Sequence, residues 1–234
     1  MKALLVRVGI DQTFGRWNGP VDNRSNEFVY VSIPEIEMQR IREGMEKPYS
    51  ALIPALSKFG VSLPAHLSTQ HMHLDPDFDY LTYGDVRERA KQLSKLVHGD
   101  MIVFYASLKD VRGNQLVYAI IGVFVVDEII SATSVPASAW DTNAHSRRIL
   151  PEGAKDLIVR AQPNVSGRLR CCIPIGEYRD KAYRVRHDIL KAWGGLLVKD
   201  GYIQRSVYLP KFCEPERFLR WFQSQAPVLL QTNN

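Results

Sequence analysis

The longest run of β-forming residues in the chain, residues 117–130, is the feature that most constrains its fold. Val, Ile, Phe and Tyr dominate this run, and such residues fit a pleated, half-buried surface. Gly122 interrupts the run, which predicts a bent or bulged strand. A turn at Gly113 and Asn114 joins it to a second β-forming run at 101–105, so the two are expected to form a hairpin. Hairpin-joined strands with helices scattered between them favour an α+β fold with a mixed, mostly antiparallel sheet or a barrel over a doubly wound parallel sheet.

Other segments predict the flanking elements. Residues 2–8 indicate a buried strand, and residues 28–33, which contain Val and Tyr, are expected to pair with it. Pro34 followed by Glu35 and Glu37 is typical of a helix start, because proline and acidic side chains both suit the first turn. We therefore expect a helix over residues 35–45. No linker or repeat divides the chain, so residues 1–226 are expected to form a single α+β domain, followed by a flexible C-terminal tail at 227–234.

The composition is that of an ordinary globular protein, with 45% hydrophobic and 24% charged residues. No run approaches the roughly 20 apolar residues that span a bilayer, so no membrane partner is expected. The first residues lack the apolar length and cleavage pattern of a signal peptide, which predicts a cytoplasmic protein. The chain has three cysteines, two of them adjacent, and this odd number argues against a disulfide framework.

A polar loop with three glycines, residues 9–20, follows the first strand directly. Glycine lets the backbone approach a ligand closely, and the polar groups beside it suit a planar, hydrogen-bonding ligand such as a nucleobase. Aromatic side chains are candidates to stack on that base. The predicted nucleotide-binding residues are Arg7, Gln12, Trp17 and Tyr105, and Asp11 is a candidate catalytic residue. The alternatives are a long connection between strands and, for the aromatic residues, core packing.

A second candidate site is the sequence HMHLDPD at residues 71–77. Pro76 disfavours a helix at Asp75, and alternate residues of an extended chain share one face. His73, Asp75 and Asp77 are therefore predicted to be catalytic together with Asp11, and Asp11 and Asp75 are expected in one pocket. The spacing matches no standard metal signature, so no metal ligand set and no cofactor is assigned. Binding of a divalent cation through these residues or His71, and a structural turn, stay open as alternatives.

Positive charge is concentrated in residues 147–191, which carry eleven Lys or Arg against five Asp or Glu, whereas the whole chain has a net charge of +5. Clustered cations attract phosphates, and guanidinium groups match phosphate geometry bidentately. The alternative is a solvated surface with structural ion pairs. The residues predicted to hold phosphates are Arg168, Arg170, Arg184 and Arg186.

Five short motifs occur in an order that resembles the third type of nucleotide-modification-associated domain. They lie at residues 7–15, 32–34, 73–77, 99–105 and 121–125. The resemblance covers most of the chain, roughly residues 1–222, and the family accompanies base-modification systems of phages, bacteria and archaea. The runs at 99–105 and 121–123 are also similar to the central strands of PUA-like barrels (ASCH and EVE-type modules). Such barrels present an aromatic-lined cleft to a base.

These features together predict a nucleic-acid-associated protein that reads or modifies a nucleotide base within a DNA base-modification system. DNA is the expected partner in preference to RNA. Two alternatives stay open, and whether the protein is an enzyme is left undecided. The first is a module that binds a modified base without chemistry, which multi-turnover conversion of a nucleoside would exclude. The second is an enzyme acting on a free nucleotide or its precursor, for which polymer binding should show no counterion-release slope.

Overall fold

The computed structural model describes residues 1–204 and 206–234, and its four α-helices are interspersed among groups of consecutive strands. The strands are β1 (Ala3–Arg7), β2 (Pro20–Val21), β3 (Ile33–Pro34), β4 (Met72–His73), β5 (Thr82–Asp85), β6 (Met101–Asp110), β7 (Leu116–Ser131), β8 (Leu157–Ala161), β9 (Gly167–Pro174), β10 (Gly176–Arg179), β11 (Ala182–Val185) and β12 (Leu229–Leu230). The α-helices are α1 (Ile53–Ser57), α2 (Arg87–Leu93), α3 (His187–Trp193) and α4 (Pro215–Ser224). Short 3₁₀ turns, including Met38–Arg40 and Ala137–Thr142, connect them.

The predicted hairpin is the centre of the fold. Strands β6 and β7 pair in antiparallel register from Met101 opposite Val125 to Lys109 opposite Leu116. The register shifts between Phe104 and Tyr105, and the pairing of β7 with β9 shifts between Ile120 and Gly122, so the long strand is bulged as expected. A methyl group on Gly122 would lie 2.6 Å from the Phe78 ring. Glycine at this position therefore allows a close approach of strand and core.

Eight strands form one mixed, mostly antiparallel sheet, which confirms the α+β prediction. The main order is β1-β6-β7-β8-β5, with β2 on β6, β9 on β7 and β12 on β9. Only the pairings of β6 with β1 and β2 are parallel within this sheet. The described strands do not close into a barrel. Two separate ribbons, β3–β4 and β10–β11, lie outside the sheet.

Two local predictions were wrong. Strand β1 pairs in parallel with β6, not with residues 28–33, which instead form the isolated bridge of Phe28 with Val21 and the hydrogen bond from Ile10 N to Val31 O. The helix expected over residues 35–45 is reduced to the 3₁₀ turn Met38–Arg40. The chain does not continue as a helix because its backbone pairs with residues 147–149 instead: Arg42 N donates to Arg147 O at 2.9 Å, and Ile149 N donates to Arg40 O at 2.7 Å.

The core lies against the sheet and extends beneath the β3–β4 ribbon. Phe78, Phe104 and Phe124 are fully buried and meet edge to face, with centroids 4.8–5.9 Å apart. Burial of such a ring stabilises the fold by about 1.5–3 kcal/mol. A second apolar cluster includes Ile10, Tyr49, Leu56 and Met72. Because Met72 belongs to β4, this cluster anchors the ribbon that carries the site described below.

The helices are short, and α4 has ten residues. Among the described residues, none of the helices combines the length and apolar character needed to cross a bilayer. The segment predicted to be a flexible tail contacts the sheet, since Leu229 and Leu230 pair with β9. Beyond them, Asn233 Nδ2 donates to Asp77 Oδ1 at 2.9 Å, and Tyr30 N donates to Asn234 Oδ1 at 2.9 Å.

Candidate functional site

The β3–β4 ribbon positions the first part of the site. Ile33 pairs with His73, which fixes the start of the segment that carries Asp75. Glu35 follows β3, and its backbone N–H donates to His71 O at 2.9 Å. Since the two strands run antiparallel, residues just beyond each strand are held beside the ribbon. Glu35, His73 and Asp75 thereby come together in a buried region.

A turn at residues 143–148 supplies the second part. Asn143 is fully buried, and its side-chain oxygen accepts a hydrogen bond from His145 N at 2.9 Å. An Asn side chain that bonds the backbone two residues on stabilises a turn. Its amide nitrogen donates to Thr82 Oγ1 at 3.1 Å and Asp75 Oδ1 at 3.3 Å. Asn143 therefore orients the turn and connects it to both β5 and Asp75.

Two imidazoles and one carboxylate meet where these segments touch; we call His73, Asp75 and His145 the His–Asp–His cluster. Nε2 of His145 lies 3.3 Å from Asp75 Oδ2, and Nε2 of His73 lies 3.9 Å from the same oxygen. The two rings are nearly perpendicular, with centroids 5.1 Å apart. The three residues are only 4–8% exposed. Three nucleophilic or metal-ligating groups thus share one small buried volume.

A second layer of charged groups fixes both imidazoles. His73 Nδ1 lies 2.9 Å from Glu35 Oε2, and His145 Nδ1 lies 2.7 Å from Asp156 Oδ2. Arg148 pairs with Glu35, donating from Nε to Oε2 at 3.0 Å, and its Nη2 lies 3.0 Å from His73 Nδ1. A carboxylate that accepts from Nδ1 sets the ring orientation and directs Nε2 to the opposite side. In both rings that side faces Asp75.

The Asp75 carboxylate is itself held by the backbone of β5. Gly84 N lies 2.8 Å from Oδ1 and 3.0 Å from Oδ2 of Asp75. A methyl group at Gly84 would come within 2.3 Å of His145 Cδ2 and 3.0 Å of Asn143 Oδ1. The absence of a side chain at this position therefore makes room for the histidine ring.

The environment shifts the pKa values of the two histidines in opposite directions. Burial lowers the pKa of His73, although the Glu35 hydrogen bond opposes this effect. Burial also disfavours the charged form of His145, but hydrogen bonds to Asp156 and Asp75 overcome it and raise its pKa to about 9. Despite burial, His145 lowers the pKa of Asp156, and His73 and Arg148 lower that of Glu35. Near neutral pH the cluster without a bound ion thus holds one neutral and one protonated imidazole.

This arrangement permits two kinds of chemistry. A neutral and a protonated imidazole side by side are the components of general acid–base catalysis. Alternatively, one ligand atom from each member of the His–Asp–His cluster lies within 4.8 Å of the others, close enough to hold a metal ion after a small contraction. In either case the reactive atoms are the two Nε2 atoms and the Asp75 carboxylate.

Asp77, also predicted to be catalytic, has different partners. It is fully buried and pairs with Arg147, while Asn233 donates to its other oxygen at 2.9 Å. Burial raises the pKa of Asp77, and Arg147 counteracts that effect. His71 contributes its backbone carbonyl to Glu35, and its Nδ1 is buried without a hydrogen-bond partner. The structure thus brings together His73 and Asp75 of the predicted catalytic residues.

The N-terminal loop combines internal contacts with contacts to neighbouring segments, since Asn18 Nδ2 donates to Ser107 O at 2.8 Å and His66 Nε2 lies 2.8 Å from Gly15 O. Asp11 pairs with Arg7 at 3.0 Å and accepts from Thr13 N and Phe14 N, both at 2.8 Å. The Arg7 guanidinium lies 5.0 Å from the centre of the Tyr118 ring. These bonds form a tight turn that holds the loop closed.

The other residues predicted to bind a nucleotide differ in accessibility. Gln12 is exposed and donates to Asn18 Oδ1 at 3.0 Å, and Trp17 is half-buried against the second apolar cluster. Tyr105 is buried in the main core, where its hydroxyl donates to Ile203 O at 2.6 Å. Gln12 and Trp17 are therefore the members of this set that present surface to solvent.

The four arginines predicted to hold phosphates divide into two pairs. Arg168 is buried and donates to Thr232 O and Leu169 O, and Arg184 donates to Lys199 O at 3.1 Å. Arg170 and Arg186 are exposed, and both line one groove together with Trp221. The second pair thus lies on one surface with an aromatic ring, where Arg186 also pairs with Asp188 at 3.4 Å.

Sequence reasoning missed His145, Asn143, Asp156 and the role of Glu35. Arg148 was counted only as part of the basic stretch. The sole local signal is the Asn-Ala-His run at residues 143–145, which follows a tryptophan and precedes two arginines. That run matches no standard metal or catalytic motif, so it does not identify His145 as the partner of Asp75.

The family model described as nucleotide modification associated domain 3 matches residues 2–193. This match includes the complete His–Asp–His cluster and its outer layer, and it ends at the last residue of α3. No curated protein and no solved structure matches the chain.

Proposed function

Since the chain belongs to the nucleotide modification associated domain 3 family, we propose that it modifies a nucleotide base in nucleic acid, DNA in preference to RNA, at the His–Asp–His cluster. One observation carries this proposal. Two imidazoles, each held by its own carboxylate, direct their Nε2 atoms at a third carboxylate in a nearly buried site.

Chemistry explains this arrangement better than base recognition alone does. A module that only reads a base needs exposed hydrogen-bonding groups and a stacking surface. The imidazoles of His73 and His145 instead face Asp75 and have their outer nitrogens occupied by Glu35 and Asp156. Buried ionisable groups with opposed environments are characteristic of catalytic sites. His73, Asp75 and His145 are accordingly the proposed catalytic residues.

Other surfaces are assigned to substrate binding within the same proposal. The exposed Arg170 and Arg186 supply phosphate contacts, and Gln12 and Trp17 supply base contacts from the N-terminal loop. Phosphate contacts position a protein on a polymer, whereas base contacts give selectivity. The net charge of +5 supports a polyanionic partner.

Nucleoside analysis tests the proposal directly. The wild type, Asp75→Asn and the control His98→Gln are expressed separately in a bacterial host, and DNA, RNA and free nucleotides are each digested to nucleosides for mass spectrometry. His98 is an exposed histidine outside the cluster. We expect a new nucleoside with the wild type and His98→Gln, and its loss with Asp75→Asn.

The fraction that contains the new nucleoside identifies the substrate. A new nucleoside in RNA or only in the free pool would overturn the assignment to DNA. Identical nucleosides in cells with and without the protein would overturn base modification as its function.

A further inference from the structure

We infer that His73 Nε2, His145 Nε2 and Asp75 Oδ2 bind one divalent transition-metal ion. The site is the one to which the proposed function assigns base chemistry, and the inference deepens that proposal. The test measures metal binding directly and uses no nucleotide. The metal site and the proposed function can therefore fail separately.

The ligand types select a class of ion. Two imidazole nitrogens and one carboxylate oxygen suit first-row transition ions such as Zn²⁺, Fe²⁺ or Co²⁺. Ca²⁺ and Mg²⁺ prefer oxygen ligands throughout, and this cluster offers a single carboxylate. Of the three cysteines, none belongs to the group of ligand atoms that converges here. The expected ion is therefore held by nitrogen and oxygen without a thiolate.

The distances are close to those that one ion requires. Metal–ligand bonds of about 2.0–2.1 Å at the tetrahedral angle place ligand atoms about 3.4 Å apart. Asp75 Oδ2 lies 3.3 Å from His145 Nε2 and 3.9 Å from His73 Nε2. One ligand atom from each of the three residues is within 4.8 Å of the others. The widest of these separations therefore has to shorten by up to about 1.4 Å for one ion to bind all three residues.

The outer layer is an independent indication. Metal-bound histidines commonly donate their other N–H to a carboxylate, which fixes the ring and increases its basicity as a ligand. Both histidines have this partner: Glu35 at 2.9 Å from His73 Nδ1, and Asp156 at 2.7 Å from His145 Nδ1. A purely structural histidine pair needs no such duplicate arrangement. The matched Nδ1–carboxylate contacts assign the same role to both rings.

The number of protein ligands indicates an open coordination position. Structural zinc sites are closed by four protein ligands, whereas catalytic sites have three and leave a position for water or substrate. The His–Asp–His cluster provides three. The bound ion would thus retain a position for a reacting group, in agreement with the proposed function.

Cobalt uptake by stripped protein tests the inference. The untagged chain is treated with a chelator and titrated with Co²⁺ alone, whose visible absorption reports coordination; Zn²⁺ is then added as a competitor. We expect one Co²⁺ per wild-type chain, displaced by Zn²⁺. His73→Gln, Asp75→Asn and His145→Gln should each weaken binding more than the roughly 10–100-fold that loss of an outer-layer carboxylate causes.

Two further sets of variants make the result decisive. Glu35→Gln and Asp156→Asn should lower cobalt affinity by about 10–100-fold and keep one ion per chain at saturation. His98→Gln, at an exposed histidine, should bind as the wild type does. Circular dichroism identifies any variant that fails to fold. If a ligand variant fails to fold, the cobalt stoichiometry of the wild type and the cobalt affinities of the outer-layer variants test the inference. Substoichiometric uptake by the wild type, or undiminished uptake by folded Asp75→Asn, overturns the inference.

Discussion

Asp156 Oδ2 lies 2.7 Å from Nδ1 of His145, and this hydrogen bond turns the opposite ring nitrogen toward Asp75. Glu35 has the same relation to His73 on the other side of the site. Two rings from distant parts of the chain are thus oriented by equivalent contacts.

Gly84→Ala should damage the site from the backbone side. The new methyl group would lie 2.3 Å from His145 Cδ2, so the ring or the backbone of β5 must shift, which disturbs the contact of His145 with Asp75. We expect cobalt affinity to fall by at least about 10-fold, the lower bound for loss of an orienting contact. Overpacking should also lower the free energy of unfolding by about 1–3 kcal/mol. Cobalt titration and urea denaturation measure the two effects.

Gly60→Ala is the control for cobalt affinity, because a methyl group there meets nothing within 4 Å. Gly60 has a positive φ of 65°, so alanine there is strained and lowers the free energy of unfolding by itself. The two variants are therefore compared only in cobalt affinity. Equal cobalt affinity in Gly84→Ala and the wild type would contradict the role given to this glycine.

Arg147→Met should destabilise the protein without acting on the cluster directly. Arg147 and Asp77 form a buried ion pair, with side chains 4% and 1% exposed. Removal of one partner leaves a buried charge unpaired, which costs about 3–5 kcal/mol. Arg160→Met breaks the more exposed pair with Glu128 and should cost less than about 1 kcal/mol. Urea denaturation of both variants provides the comparison, and similar losses would be inconsistent with this account.

The central sheet illustrates what local sequence can specify. The hairpin of β6 and β7 was predictable because its turn and its β-forming residues act over short distances. The bulge was predictable from Gly122, whose missing side chain admits Phe78. The parallel pairing of β1 with β6 was not, because such strands are far apart in sequence and no turn marks them as partners.

The candidate site, too, was predictable only where its residues lie close together in the sequence. His73 and Asp75 were predictable from their alternation in an extended segment, which places both on one face. Pro34 followed by Glu35 predicts the start of a helix, but in the structure the Glu35 carboxylate contacts His73 and Arg148. His145 and Asp156 come from a different part of the chain, and only the tertiary fold shows that they belong to the site.

Arg170 and Arg186 are expected to control the salt dependence of polymer binding. Both are exposed on one groove, so Arg170→Gln with Arg186→Gln should reduce the slope of log affinity against log salt by about one unit per lost phosphate contact. Lys91→Gln, at an exposed lysine on α2, should leave the slope unchanged. Fluorescence anisotropy with single- and double-stranded DNA over a salt series measures the slopes.

Trp17→Ala provides the contrasting result in the same assay. Loss of a stacked ring should weaken the preference for the cognate base by about 1–3 kcal/mol and leave the slope unchanged. If the wild type binds neither single- nor double-stranded DNA at low salt, the groove has no phosphate-binding role.

The three cysteines should differ in reactivity. Cys172 is buried, and burial raises the pKa of its thiol to about 12, so its thiolate is scarce near pH 8. Cys171 and Cys213 are exposed. Alkylation of native protein followed by intact mass measurement should show two rapid additions, with the third only after denaturation. Three additions at one rate in the native protein would contradict the packing of β9.

Anomalous diffraction from crystals of the wild-type protein grown with Co²⁺ tests the central claim most directly. The account predicts a single strong peak at the cobalt edge, about 2.0–2.2 Å from His73 Nε2, His145 Nε2 and Asp75 Oδ2. The peak should vanish in crystals of Asp75→Asn. The absence of a peak at the His–Asp–His cluster in wild-type crystals grown with excess Co²⁺ would contradict it.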